Sequence, residues 1–217
     1  MAEGILEEQD NKSTLEIFRH MSKNKTYIFL VLALSCVYFE TTNIQFWIAD
    51  YLMNINNAPY DLIVKMFTLV SITGPIIGAI FSGYIGTKIG GYSSVYALPL
   101  GILGSFIVIA ASIPIPLISN NYLIFGCIWV MFFMGGIIVP LLTGIMLSVV
   151  EPENRPMANS LANTMYNLLG FFPAPFVYGW ICDNTGGSLS KWGMIVSLAM
   201  GIPSSLFLMA SFVYKPD

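Results

Sequence analysis

Six long apolar stretches, separated by short polar segments, make up most of the chain. They run over residues 27–53, 62–87, 92–113, 121–149, 156–182 and 190–213, each close to or beyond the ~20 residues that a helix needs to cross a bilayer. Nothing alternates in the segments of about 10 residues that a membrane β-barrel requires. The pattern predicts an all-α polytopic membrane protein with six transmembrane helices. Gly and Pro inside the spans fit this reading, because neighbouring helices satisfy the backbone groups they free. The division is a polar lead-in over 1–26 and a transmembrane domain over 27–215. In the lead-in, Ser13-Thr14-Leu15-Glu16 has the form of a capping box. The small apolar face of Leu15, Phe18 and Met21 fits a short solvated helix better than a membrane-bound one.

The end of the second span, GYIGTKIGG from Gly83, resembles the end of the fifth, GWICDNTGG from Gly179. At a constant offset Gly83 falls on Gly179, Thr87 on Asp183, Gly90 on Gly186 and Gly91 on Gly187. The same pattern thus closes the middle helix of two consecutive triplets, about 27–113 and 121–213. Three is odd, so the triplets are inverted relative to one another, an arrangement typical of transporters.

Composition agrees with burial in lipid. The 217 residues are 56% hydrophobic and only 10% charged, whereas a soluble domain carries about 25% charged residues. The net charge of -3 offers no basic footprint for nucleic acid. The opening MAEGILEEQDNKST has neither the basic start nor the apolar core of a secretory signal, so the first span is expected to direct its own insertion. Lys12, Arg19, Lys23, Lys25, Lys88, Arg155 and Lys215 fall on one side of the membrane, against Lys65 and Lys191 on the other. That asymmetry places both termini in the cytoplasm. Cys36, Cys127 and Cys182 lie in apolar segments without a CxxC, and His20 is the sole histidine. No metal site, disulfide framework or cofactor is expected. No nucleophile–base pair or phosphate loop points to an enzyme.

The first span carries CVYFETTNIQFW from Cys36 to Trp47. Glu40 lies about 20 Å along the helix from Tyr27 at 1.5 Å per residue, near the midplane, where a charge costs at least ~2.5 kcal/mol. It should therefore face protein or a water-filled cavity, or carry its proton. Cys36, Glu40, Asn43 and Trp47 form one helical stripe, flanked by Thr41, Thr42 and Gln45, with Leu32, Phe39 and Phe46 expected on an apolar opposite side. Glu40 reads as a proton-coupling or solute-contacting group, or else as a helix-packing hydrogen-bond partner. Asn159, Asn163 and Asn167 recur every four residues in the fifth span and should face protein, as interhelical glue or as a polar cavity lining. Gly135, Gly136 and Pro140 would let the fourth span pack closely or bend. Pro173 and Pro175 should break the fifth. Arg155 most simply anchors the cytoplasmic face, beside Glu151 and Glu153; a gating ion pair is the alternative.

These features resemble the major facilitator superfamily. Gly83, Lys88 and Gly90 match its cytoplasmic loop motif, although Thr87 stands where the motif has aspartate and Gly91 where it has a basic residue. Residues 14–35 resemble the linker helix and seventh-helix start of a twelve-helix chain, implying a C-terminal six-helix half. Glu151-Pro-Glu-Asn-Arg155, Asn163 to Gly170 and Pro173-Ala-Pro175 resemble Spinster-like transporters most. The organic anion transporting polypeptides come second, through Pro173, Pro175, Tyr178, Gly179 and Asp183. The resemblance implies transport of a lipid-like or amphipathic solute with proton coupling, and an endolysosomal membrane, with the mitochondrial inner membrane as an alternative. In the superfamily the first helix of each triplet lines the cavity, which would place Glu40 there. A six-helix half supplies one wall of such a cavity. The expected partners beyond the bilayer are therefore a second six-helix half, a second copy, or a larger membrane complex in which this half is a non-transporting subunit.

Overall fold

The computed structural model describes residues 21–185 and 191–214. The capping box at Ser13–Glu16, together with Lys12, Leu15, Phe18, Arg19, His20, Gly186, Gly187 and Lys215, lies outside the described residues. Regular structure is entirely helical among those described. The helices are α1 (Lys25–Ile55), α2 (Tyr60–Lys88), α3 (Ala97–Ser112), α4 (Asn121–Ser148), α5 (Arg155–Tyr166), α6 (Pro173–Asn184), α7 (Lys191–Ala199) and α8 (Gly201–Tyr214). A π-helical turn at Asn167–Phe171 joins α5 to α6. The six expected spans are thus α1, α2, α3, α4, α5–α6 and α7–α8.

Three spans depart from one straight helix of the expected length, two of them for a backbone reason. The third is only 16 residues long and starts at Ala97 instead of residue 92. The fifth is interrupted at its prolines, its first α-helix ending at Tyr166 and the next starting at Pro173. Pro173 and Pro175 have no N–H, and their rings would crowd the carbonyls of Leu169 and Phe171. The chain widens ahead of them, and Phe172 N–H donates to Asn167 O at 2.9 Å, five residues back. The sixth is interrupted between α7 and α8. There Pro203 cannot donate to the carbonyl of Ala199, and Met200 N–H turns to Ser197 O at 3.3 Å.

The packing exchanges the two triplets. α1 packs on α5, α6, α7 and α8, while α4 packs on α2 and α3. The first helix of each triplet therefore lies against the second and third helices of the other, as two inverted repeats require. Glycine sets the closest approach: a Cβ on Gly170 would lie 2.7 Å from Ser35 O of α1. Two apolar clusters fill the interior. One holds Leu30, Leu34, Leu142 and Ile145; the other holds Ile44, Ile48, Ile128 and Leu198. Glu40 lies on α1 between them.

One end of the bundle is tied together by hydrogen bonds. Asn24 caps α1 by accepting from Tyr27 N–H at 3.1 Å and donates to Val149 O at 3.0 Å, just past α4. Thr26 Oγ1 donates to Tyr214 O at 2.8 Å, and Tyr27 Oη to Ala158 O at 2.7 Å. The start of α1 and the end of α8 consequently share one face of the molecule.

Candidate solute path and buried carboxylate

α1 separates the polar residues of its centre onto two faces. Glu40 and Asn43 are 4% and 0% exposed, turned into the bundle with Cys36 and Thr42. A Cβ on Gly201, at the start of α8, would lie 3.5 Å from Glu40 Oε2. The carboxylate thus abuts the first turn of a helix, where the dipole is positive and favours an anion. Beside it is a cavity of about 30 Å³ whose lining includes Ser105, Phe132, Gly135, Gly201 and Ser204. The Ser105 and Ser205 hydroxyls are 2.9 Å apart. Oε1 of Glu40 has no hydrogen-bond partner.

Thr41 and Gln45 lie about 100–140° around the helix by its 3.6-residue period, and Thr41 lines both that cavity and a second space. With Val37 and Tyr38 they line an open groove of about 300 Å³, closed on its far sides by Pro75 and Ala79 of α2 and by Phe132, Gly135, Gly136 and Pro140 of α4. Tyr38 extends this wall, its ring 4.8 Å from Phe171 and 5.0 Å from Tyr166. Glu40 lines the smaller cavity with Val37 and Thr41, whereas the groove lining takes Thr41 and Gln45 and leaves Glu40 out. Trp47 is half-buried, stacked on Tyr178 at 4.7 Å. The expected apolar opposite side is also divided: Phe39 is buried and Phe46 exposed.

Asn163 and Asn167 are exposed. Asn167 Nδ2 donates to Asn163 O at 2.8 Å, within its own helix. The asparagine stripe, expected to face protein, does not join helices of this chain.

A family model described as the Major Facilitator Superfamily matches residues 28–217. The chain belongs to the Major Facilitator Superfamily. Among the described residues, four helical stretches (Lys25–Ile55, Tyr60–Lys88, Asn121–Ser148 and Lys191–Tyr214) are long and apolar enough to cross a membrane, as fits membership of a superfamily of membrane transporters. Its fold resembles a solved bacterial homologue of the human lysosomal transporter Spinster, in an inward-facing, unoccupied conformation, with a TM-score of 0.64 and 15% identity. The match covers 92% of this chain and 47% of that one, so the chain spans about half the length of this relative. No curated protein matches.

The superfamily loop motif has a defined geometry here. Gly90 and Gly91 have φ of +87° and +89°. Gly91 N–H donates to Gly86 O at 2.8 Å and Gly90 N–H to Thr87 O at 3.4 Å, the paired bonds of a Schellman helix end. Gly90 is required by this turn, whereas Gly83 is open on the exposed side of α2. Thr87, at the aspartate position, donates to Gly83 O of its own helix at 3.0 Å. Lys88 lies over the Tyr84 ring, 5.7 Å from its centre. Arg155 Nε reaches Leu147 O at 2.9 Å and Val150 O at 3.3 Å, so it caps the end of α4. Asp183 is exposed near the end of α6.

Two features escaped the sequence reading. Gly74, Gly78, Ser82 and Gly86 recur every four residues and form the buried face of α2. Their small-xxx-small spacing was a readable signal of close helix packing. The interruption beside Glu40 was signalled only by Gly201 and Pro203, which by themselves do not say what lies opposite them.

Proposed function

We propose that this chain forms one wall of the solute path of a Major Facilitator transporter, opposite a complementary six-helix half carried on the same polypeptide or another, or a second copy. The reading rests on the groove between α1, α2 and α4. It is mostly apolar, with Tyr38, Thr41 and Gln45 as its polar groups, and a site of that kind suits an amphipathic, lipid-like solute. Glu40 is assigned to proton coupling. From its place beside Gly201, gain or loss of a proton would act by shifting α1 against the first turn of α8. Asn163 and Asn167, exposed on the fifth span, are assigned to the same path.

Lys88 and Arg155 lie at the end where α1 begins, which supports cytoplasmic termini. The likeness to a bacterial homologue of a lysosomal transporter supports an endolysosomal membrane.

The test is uptake of a fluorescent lysophospholipid into proteoliposomes that hold the chain with its complementary half. Glu40→Gln should abolish the dependence on a pH gradient while leaving gradient-free exchange. Unchanged pH dependence removes Glu40 from the mechanism. Absence of uptake with every complementary half supports a non-transporting subunit instead.

A further inference from the structure

The inward stripe of α1 continues past Glu40. Asn43, Trp47 and Asp50 follow at spacings of three, four and three, so the four residues lie on one line about 15 Å long at 1.5 Å per residue. Along it, Glu40 Oε1, both amide atoms of Asn43, Trp47 Nε1 and Asp50 Oδ2 are buried without hydrogen-bond partners. Tyr178 of α6, 1% exposed, closes one side of the line, with the Cys182 sulfur as the partner of its hydroxyl. Its ring stacks on Trp47. Asp50 ends the line, its other oxygen accepting from Asn54 Nδ2 at 2.8 Å.

Unpaired buried polar groups are rare, and a row of them on one seam is rarer. Here donors (Asn43, Trp47) are interleaved with acceptors (Glu40, Asn43, Asp50), which is what bridging water needs, since each molecule both donates and accepts. We propose that this seam holds a thread of ordered water inside the six-helix half, running along α1 from Asp50 to Glu40. The hydration stands on the seam alone. Its use as a route for protons rests on the reading of Glu40 as the coupling carboxylate. On that reading a proton enters at Asp50, hops from water to water, and ends on the Glu40 carboxylate, leaving each water neutral behind it.

Hydroxyl-radical footprinting in water enriched in oxygen-18 tests this on the full chain in lipid nanodiscs, because radicals formed in bound water label the side chains beside it. Tyr178 should be oxidised several-fold faster than Tyr166, which is buried to a similar degree (3% exposed) but lies off the seam, in the other apolar cluster. Equal rates would overturn the proposal and indicate that the seam closes by direct bonds. Asn43→Leu and Asp50→Leu should each bring the Tyr178 rate down to that of Tyr166. Labelling that persists in both variants would equally overturn it. Strong Tyr178 labelling combined with unchanged pH dependence in Glu40→Gln supports the water thread and retires the proton reading alone.

Discussion

Gly78 of α2 and Gly136 of α4 meet where the two helices cross. A Cβ on Gly136 would lie 3.1 Å from Gly78 Cα and 2.5 Å from Pro75 O, and one on Gly78 would overlap the Phe133 carbonyl. Ser82 Oγ donates to Ile137 O at 2.9 Å, and Trp129 Nε1 to Thr73 Oγ1 at 3.0 Å, on either side of the crossing. The backbones approach so closely only because no side chain intervenes. Within lipid that packing, together with hydrogen bonds, replaces the hydrophobic effect as the force between helices.

Gly78→Leu and Gly136→Val should therefore each destabilise the bundle by roughly 1–3 kcal/mol, the usual cost of overpacking. Gly83→Ala, with nothing within 4 Å of the added atom, should change stability by less than about 0.5 kcal/mol. Thermal unfolding in detergent, followed by tryptophan fluorescence, distinguishes the two groups.

At Gly90 the constraint is conformational. With φ of +87°, Gly90→Val should cost about 1–3 kcal/mol, and Gly90→Asn clearly less, because Asn tolerates the left-handed region. The same unfolding assay reads this. Equal losses in both variants would show that space, not φ, limits the site.

The Arg155 guanidinium acts on backbone carbonyls. Arg155→Gln should lower stability by about 0.5–1.5 kcal/mol through lost hydrogen bonds, and Glu151→Gln or Glu153→Gln should reproduce none of it. If the glutamate variants matched the arginine variant, an ion pair would replace capping as its role.

Glu40 and Gln45 should separate cleanly. Gln45→Leu and Thr41→Val alter groove-facing side chains, so they should raise the KM for solute with little change in Tm. Glu40→Met replaces a buried carboxylate by an apolar side chain of similar length, and should abolish pH-driven uptake while the Tm is kept. A less stable Glu40→Met protein would mark the carboxylate as structural.

The number of spans, their order and their inverted pairing were legible in the sequence. Membrane insertion is decided by windows of about 20 residues, and the glycine pattern after Gly83 and Gly179 marks equivalent helix ends. The centre of α1 was legible as a cluster but not as a site. Glu40 and Gln45 are five residues apart yet lie on different faces, one buried and one exposed, and a helical period alone cannot say which face meets a neighbour.

Polarity along the chain by itself determined that there are six apolar helical spans and that Glu40 sits near the middle of the first, since span formation responds to local hydropathy. Only the tertiary structure decided that Glu40 turns toward the interrupted α7–α8 helix while Thr41 and Gln45 face the groove. That choice depends on where the Gly201–Pro203 interruption and the Gly78–Gly136 crossing place the neighbouring helices, which are contacts between residues far apart in sequence.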